Sequence, residues 1–446
     1  VSETPQDPAA PEVPETPVSA SNPTPDAPVV EKSPEPSRWT IAATQIVGGS
    51  FGISVLAILL ALVIGGIMIA VTSPEVRTAS VYFFGRPGDT FHAVWTSVGG
   101  AYSSLFQGSV YNFRVSGFAA GIKPLTDTLT FATPLIAAGL GVAVAFRAGL
   151  FNIGAQGQII IAAIFAGWVG FTLDIPVFQI WTGHLSISFH LILAIIAGLI
   201  GGALWGGIVG VLRARTGAHE VITTIMLNYI ALYLLTYLLK TPFLQAPGST
   251  NPKTAPIDPD AVLPRLFGDR YAVHFGLVLV IVATIFVWWL LKYSSLGFKF
   301  RAVGENQDAA RVAGINVKSV ITWAMVISGA LAGLAGVTQV LGGSLTTGFS
   351  TGVDAGIGFD AITVALLGRS RPWGVFASGV LFGALKAGGY TMQALNGVPI
   401  DIILVVQSVI VLLIAAPPLV RAVFHLPTPL PGSFFSRSNS KAVVSK

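Results

Sequence analysis

FRAGLFNIGAQGQ, residues 146–158, sets three amides, Asn152, Gln156 and Gln158, inside an oily run. Unpaired amides are costly to bury away from water, so each needs a hydrogen-bond partner in whatever surrounds it. Those surroundings are apolar: residues 148–173 contain no Asp, Glu, Lys or Arg, and the same holds for 39–74, 319–353 and 402–420. A helix that crosses a bilayer needs about 20 mostly apolar residues, and these runs supply them. Of 446 residues, 53% are hydrophobic and 10% charged, against roughly 25% charged in a soluble domain. The expected fold class is all-α, a polytopic transmembrane helical bundle.

Working outward from that stretch gives spans at 51–71, 125–146, 154–173, 190–212, 220–239, 273–291, 320–341, a short or broken segment 358–368, then 374–390 and 400–416, ten crossings in all. With both termini cytoplasmic, Arg147, Arg213, Arg215, Lys292, Lys299, Arg301, Arg311, Lys318, Arg369, Arg371 and Arg421 fall in short inner segments, as the positive-inside rule requires. The net charge of +5 therefore reads as topology rather than as nucleic-acid binding. Residues 1–38 hold ten Pro and seven acids, a composition expected to form a disordered cytoplasmic tail. The segment 39–74 is expected to be a retained anchor, because no basic start and apolar run open the chain as a signal peptide would. An outer segment, 75–124, is expected to carry an amphipathic helix near 91–107 lying on the outer surface. The transporting bundle is then 125–416, with a cytoplasmic loop at 292–320 and a cytoplasmic C-terminal tail at 417–446.

Glycines at four-residue spacing, Gly202, Gly206 and Gly210, Gly329 and Gly333, and Gly379 and Gly383, predict faces where helix backbones approach closely. A fainter pattern joins GVAVAFRAGLFNIGAQGQII to AITVALLGRSRPWGVFASGV. Each runs apolar segment, Arg, glycine-bearing turn, apolar segment, which suggests two related halves; transporters built from repeats place the substrate path at their interface.

The chemistry that is missing narrows the function. Cysteine is absent, and His219-Glu220 lacks the second His of a zinc-protease helix, so no metal site is expected. No Ser or His constellation suggests an intramembrane enzyme. No G-x-x-x-x-G-K-[ST] loop occurs, so the chain has no usual means of cradling ATP phosphates. An ion-driven transporter would want acids deep in its spans, and Asp360 alone qualifies.

The inner loop KYSSLGFKFRAVGENQDAARVAGINVKSV, residues 292–320, contains DAARVAG. This matches the EAA-x3-G pattern of ABC importer permeases, with Asp308 in place of the first Glu. Physically, 306–313 reads as a short helix ended by Gly314 at a C-cap, available to a soluble partner. Together with GLFNIGAQGQ and GIGFDAITVALLGR, over about 120–416, the chain resembles the branched-chain amino acid, ribose and nucleoside class of ABC permeases, most of all its nucleoside branch. That resemblance implies a bacterial cell-membrane permease that is not itself an enzyme. It also implies a second permease subunit, an ABC ATPase that uses ATP and Mg, and an extracytoplasmic substrate-binding lipoprotein, with no cofactor in this chain. Glu305, Asp308, Ala309, Ala310, Arg311 and Gly314 would then form the ATPase coupling site, the two alanines letting a partner come close. The family usually has Glu where Gln156 stands. Nucleosides are the expected cargo, with a ribose-like sugar or a branched-chain amino acid as alternatives.

Two readings of the opening stretch stay side by side. Phe151, Asn152, Gln156 and Gln158 line a polar path, where amides meet hydroxyls and ring nitrogens and Phe151 stacks on a base; or the amides bridge neighbouring helices. Asp360 likewise is either a path residue or an acid favoured by a helix N-terminus. Lys386 either reaches the headgroups or pairs with Asp360.

Overall fold

A computed structural model of the chain describes residues 50–172, 179–182 and 185–424; the expected tail 1–38 and the end of the C-terminal tail lie outside them. The order is α1 (Ser50–Thr72), α2 (Pro74–Ser80), α3 (Pro87–Ser109), α4 (Phe118–Gly121), α5 (Lys123–Arg147), α6 (Ala155–Thr172), β1 (Gln179–Thr182), β2 (Leu185–Ser188), α7 (Phe189–Thr216) and α8 (Glu220–Leu238). There follow α9 (Gly276–Tyr293), α10 (Ser295–Glu305), α11 (Gln307–Val312), α12 (Val317–Gly342), α13 (Ile357–Leu367), α14 (Pro372–Asn396), α15 (Asp401–Ala415) and α16 (Pro417–Val423). The polytopic helical bundle is thus observed, with one antiparallel hairpin, β1 to β2, registered Gln179 to Ser188.

Each of the ten predicted spans is a helix. Seven are long and apolar enough to cross a membrane; α13 and α15 are short, and α14 is diluted by glycine. Helix α1 shows why the bundle belongs in lipid: Val55, Leu59, Val63 and Ile67, one turn apart, form an exposed apolar stripe that water would penalise. By contrast α5 and α12 are mostly buried.

The glycine faces do what their spacing predicts. Antiparallel helices α7 and α12 meet backbone to backbone, where a Cβ at Gly202 would collide with the Gly329 carbonyl and one at Gly206 with the Met325 carbonyl. Gly379 accommodates Ile136, and Gly383 lies against Ala132 and the Thr128 carbonyl, so α14 closes on α5 in the same way.

The repeat reaches the hydrogen bonds of its two turns. After α5, the Leu150 and Gly149 N–H groups donate to the carbonyls of Ala145 and Phe146; after α13, those of Ser370 and Arg369 donate to Ala365 and Leu366. The offset is a constant 220, 365 against 145 and 370 against 150. This paired closure is common at helix ends; here the turns also touch, Arg147 Nε donating to the Ser370 carbonyl at 3.0 Å.

Helix α3 covers the segment where an amphipathic helix is expected, 91–107. It packs into the bundle, with Ala101 and Ser104 buried, the Tyr102 hydroxyl donating to the Leu62 carbonyl of α1, and Leu105 seated against Gly388 of α14. Gly108 lies against Thr391 of α14, whereas His92, Thr96, Gly99 and Ser103 are exposed.

Candidate functional site

Gly149, at φ 72°, ends α5, and α6 starts at Ala155. The break is therefore 148–154, and Gln156 and Gln158 sit in the first turn of α6. Asn152 is fully buried. Its Nδ2 donates to Ser328 Oγ at 2.8 Å and to Gln158 Oε1 at 3.2 Å, while its Oδ1 accepts from the Gly154 N–H at 2.8 Å. Ser328 in turn donates to the Gly141 carbonyl at 2.7 Å. Asn228 of α8 clamps the other side, accepting from the Gly157 N–H at 2.8 Å and donating to the Ile153 carbonyl at 3.0 Å.

In this arrangement Asn152 and Gln158 bridge neighbouring helices. At membrane depth irregular backbone persists only when protein satisfies it, and both amides are consumed in joining α5, α6 and α12. Phe151 stacks on Phe146, centroids 5.1 Å apart, so one ring face is already spent; it remains 41% exposed. Sequence reading missed Asn228 and Ser328, although a lone amide within the apolar run of α8 raises the same question as Asn152. Asn152→Ala is expected to cost about 2–3 kcal/mol by orphaning buried polar groups, lowering the melting temperature of the purified protein. A change in transport KM with an unaltered melting curve would contradict this role.

The remaining path candidates gather where α6 and α13 begin. Gly358 lies so close to Gln156 that a Cβ there would be 2.5 Å from the Gln156 backbone, and the Gln156 side chain interacts with the carboxylate of Asp354. Asp354 is buried, accepts from the Gly356 N–H at 3.3 Å, and was not singled out from sequence because it precedes the short helix. Two helix N-termini near one carboxylate give it favourable partial charges. Asp360 stands in the first turn of α13, as the helix-dipole reading requires. Lys386 makes no ion pair among the described residues; its Nζ donates to the Ala355 carbonyl at 3.3 Å. Ala355 is left-handed at φ 47°, a conformation that costs a non-glycine residue energy, so Lys386 steadies the turn that presents Asp354.

Helices α10 and α11 form an elbow at the end of the bundle where α5 and α9 finish and α12 and α14 start. Asn306 makes the corner: extended at φ −158°, it caps α11 by accepting from the N–H groups of Asp308 and Ala309, both at 2.9 Å. Gly314, at φ 80°, ends α11 as expected. Glu305, Asp308, Ala309, Arg311 and Gly314 are exposed, with Asp308 and Arg311 paired at 3.0 Å. Ala310 departs from expectation: it is 3% exposed and packs into the chain's own core, because α11 must anchor one face. Val312, 91% exposed, takes its place on the outer face. Gly304, also missed, lets the elbow touch the break: a Cβ there would collide with the Arg147 carbonyl and lie 3.1 Å from the Gly149 nitrogen.

At the opposite end lies a cavity of about 690 Å³ between α5, α12, α14 and the loop from α8 to α9. Its walls include Asp127, Thr130, Phe131, Arg265, Gln339 and Tyr390, with Phe131 and Tyr390 stacked at 5.7 Å and 30°. Aromatic surface with a few polar groups, at this volume, is the usual make-up of a small-molecule site. Its residues come from four distant segments, so no local pattern announced it.

A family profile described as the permease component of branched-chain amino acid transport systems matches residues 125–415. The chain is 38% identical over 331 residues to the guanosine ABC transporter permease protein NupP of Bacillus subtilis, covering 73% of this chain and 88% of that one. Against the nucleoside ABC transporter permease protein NupB of Lactococcus lactis subsp. cremoris it is 35% identical, covering 66% and 79%. Against the glucose ABC transporter permease protein TsgB13 of Haloferax volcanii it is 34% identical, covering 65% and 75%. No solved structure matches the chain.

Proposed function

The chain belongs to the family of permease components of branched-chain amino acid transport systems, and from that premise we propose that it is the permease of an ATP-driven importer whose cargo is a nucleoside. The observation that carries the choice of cargo is the 690 Å³ cavity with its stacked Phe131 and Tyr390. A planar base has an aromatic surface to lie on, and Asp127, Thr130, Gln339 and Arg265 offer donors and acceptors for ring edges and ribose hydroxyls. The guanosine and nucleoside relatives support the same reading.

In this reading the elbow end faces the cytoplasm and meets an ABC ATPase that supplies ATP and Mg chemistry. The cavity end faces outward, towards an extracytoplasmic binding lipoprotein, and a second permease subunit completes the pathway. Such a permease needs no cofactor or nucleotide of its own. ATP-driven closure of the partner moves the elbow, Gly304 passes that movement to the break at 148–154, and the cavity changes access. Affinity resides mostly in the lipoprotein, because a path that must release its cargo binds it weakly.

The test is uptake into proteoliposomes holding the chain with its copurifying partners. ATP-dependent nucleoside uptake that vanadate stops and that survives collapse of ion gradients is the expected result; dependence on an ion gradient alone would replace it with a secondary transporter. Tyr390→Ala is expected to raise the KM for nucleoside at least about fivefold, since stacking on a base is worth about 1–3 kcal/mol. The glucose relative favours a second reading, a simple sugar; ribose or glucose uptake with no competition by nucleosides would select it.

A further inference from the structure

Beside the elbow is a second cleft, of about 420 Å³, lined by Arg147, Arg301, Arg371, Lys292, Trp288 and Trp373 among others. Four cations converge on it from α5, α9, α10 and the turn before α14. Among the described residues none of them makes an ion pair. Arg147 spends its Nε on the Ser370 carbonyl, and Lys292 lies 5.3 Å over the Trp288 ring. Arg371, Arg301 and Glu305 are the charged neighbours of Arg147, Glu305 the one acid among them, and Arg369 stands next to Arg371. Like charges gathered this closely repel unless an anion joins them.

The cleft opens at the rim of the membrane-embedded surface. Trp373 and Trp289 are each 50% exposed, and Ile285 and Phe286 continue an exposed apolar face along α9. Tryptophan at the ends of spans marks headgroup depth, and basic pockets between helices at that depth suit anionic headgroups. We propose that this cleft binds an anionic phospholipid, its phosphodiester among the guanidinium groups of Arg147, Arg301 and Arg371 and its acyl chains along Trp289 and Phe286. Planar guanidiniums match phosphate oxygens better than ammonium groups do. Bound there, the lipid bridges the elbow, through Arg301, to both turns of the repeat, through Arg147 and Arg371, and so favours the docked elbow. A soluble anion would satisfy the charges but leave the apolar wall uncovered, and a soluble partner protein would not select a face lined by lipid-depth tryptophan.

The full chain is purified in neutral detergent and its melting temperature measured with phosphatidylglycerol, phosphatidylcholine or inorganic phosphate. Phosphatidylglycerol alone is expected to raise it by roughly 2–4 °C, less at high salt. The double variant Arg301→Gln/Arg371→Gln is expected to lose that response while melting at least as high as the parent in phosphatidylcholine. An equal response in parent and variant, or an equal shift with inorganic phosphate, overturns the proposal. Should the variant not fold, a photoreactive phosphatidylglycerol decides on the parent complex with its copurifying ATPase. Labelling of peptides containing Trp289 or Trp373 supports the site; labelling only elsewhere, or labelling abolished by the ATPase, overturns it.

Discussion

Replacing Gly304 by valine is expected to lower ATP-driven uptake by at least about tenfold, the scale of a coupling free energy between two sites, while the chain still copurifies with its ATPase. The reason is geometric. Gly304, next to last in α10, lies against the backbone of Arg147 and Gly149, where a Cβ has no room. The atoms in its way are a carbonyl and a main-chain nitrogen, which cannot swing aside as the tip of a side chain would. The elbow must then lift from the turn that leads into Phe151 and Asn152, and movement at α11 no longer reaches the break. Gly217→Ala, just past the end of α7, is the control: it sits in open space at φ 70° and is expected to cost about 1 kcal/mol with little loss of uptake. Uptake and ATPase rate measured together separate the outcomes, and parental uptake by Gly304→Val would dismiss this contact as the route of coupling.

The largest structural loss is expected from Gly329→Leu. A Cβ at 329 collides with the Gly202 carbonyl, and one at 202 collides with the Gly329 carbonyl, so neither α7 nor α12 can relax without separating. Overpacking a filled core costs about 1–3 kcal/mol, and more when backbone rather than side chain must move; about 3 kcal/mol or more is expected here. Gly207→Ala, one position off the seam and facing only the end of Val326 at 3.2 Å, is expected to be tolerated. Size-exclusion profiles after detergent extraction test this: a sharp peak for Gly329→Leu would mean that the two helices are not held by this contact.

The opening stretch shows what was legible and what was not. Burying Asn152 and Gln158 demanded partners, and partners are present, but Ser328 lies 176 residues from Asn152 in the chain. Nothing local distinguishes a serine that caps such an amide from one that merely fills a helix. Asp354 was invisible for a related reason: it precedes α13 in sequence and gains meaning only when the chain returns to the start of α6. Ala309 and Ala310 look alike in a helix of six residues, too short for periodicity to tell the outer face from the anchored one. In α3, Ser104 and Gly108 are buried while Ser103 and Gly99 are exposed, because small residues serve equally well to admit a neighbouring helix or to face outward.

Run length and charge alone determined that this chain is a helical membrane bundle, roughly where its spans lie, and that its glycine seams let backbones meet. These follow from a solvent, the bilayer, that acts on each segment separately. Which amides bind each other, which alanine faces outward, and where a cavity and a cationic cleft open were decided by tertiary structure. Those depend on groups brought together from distant segments, and hydrogen bonds and charges act only at the distances that packing creates.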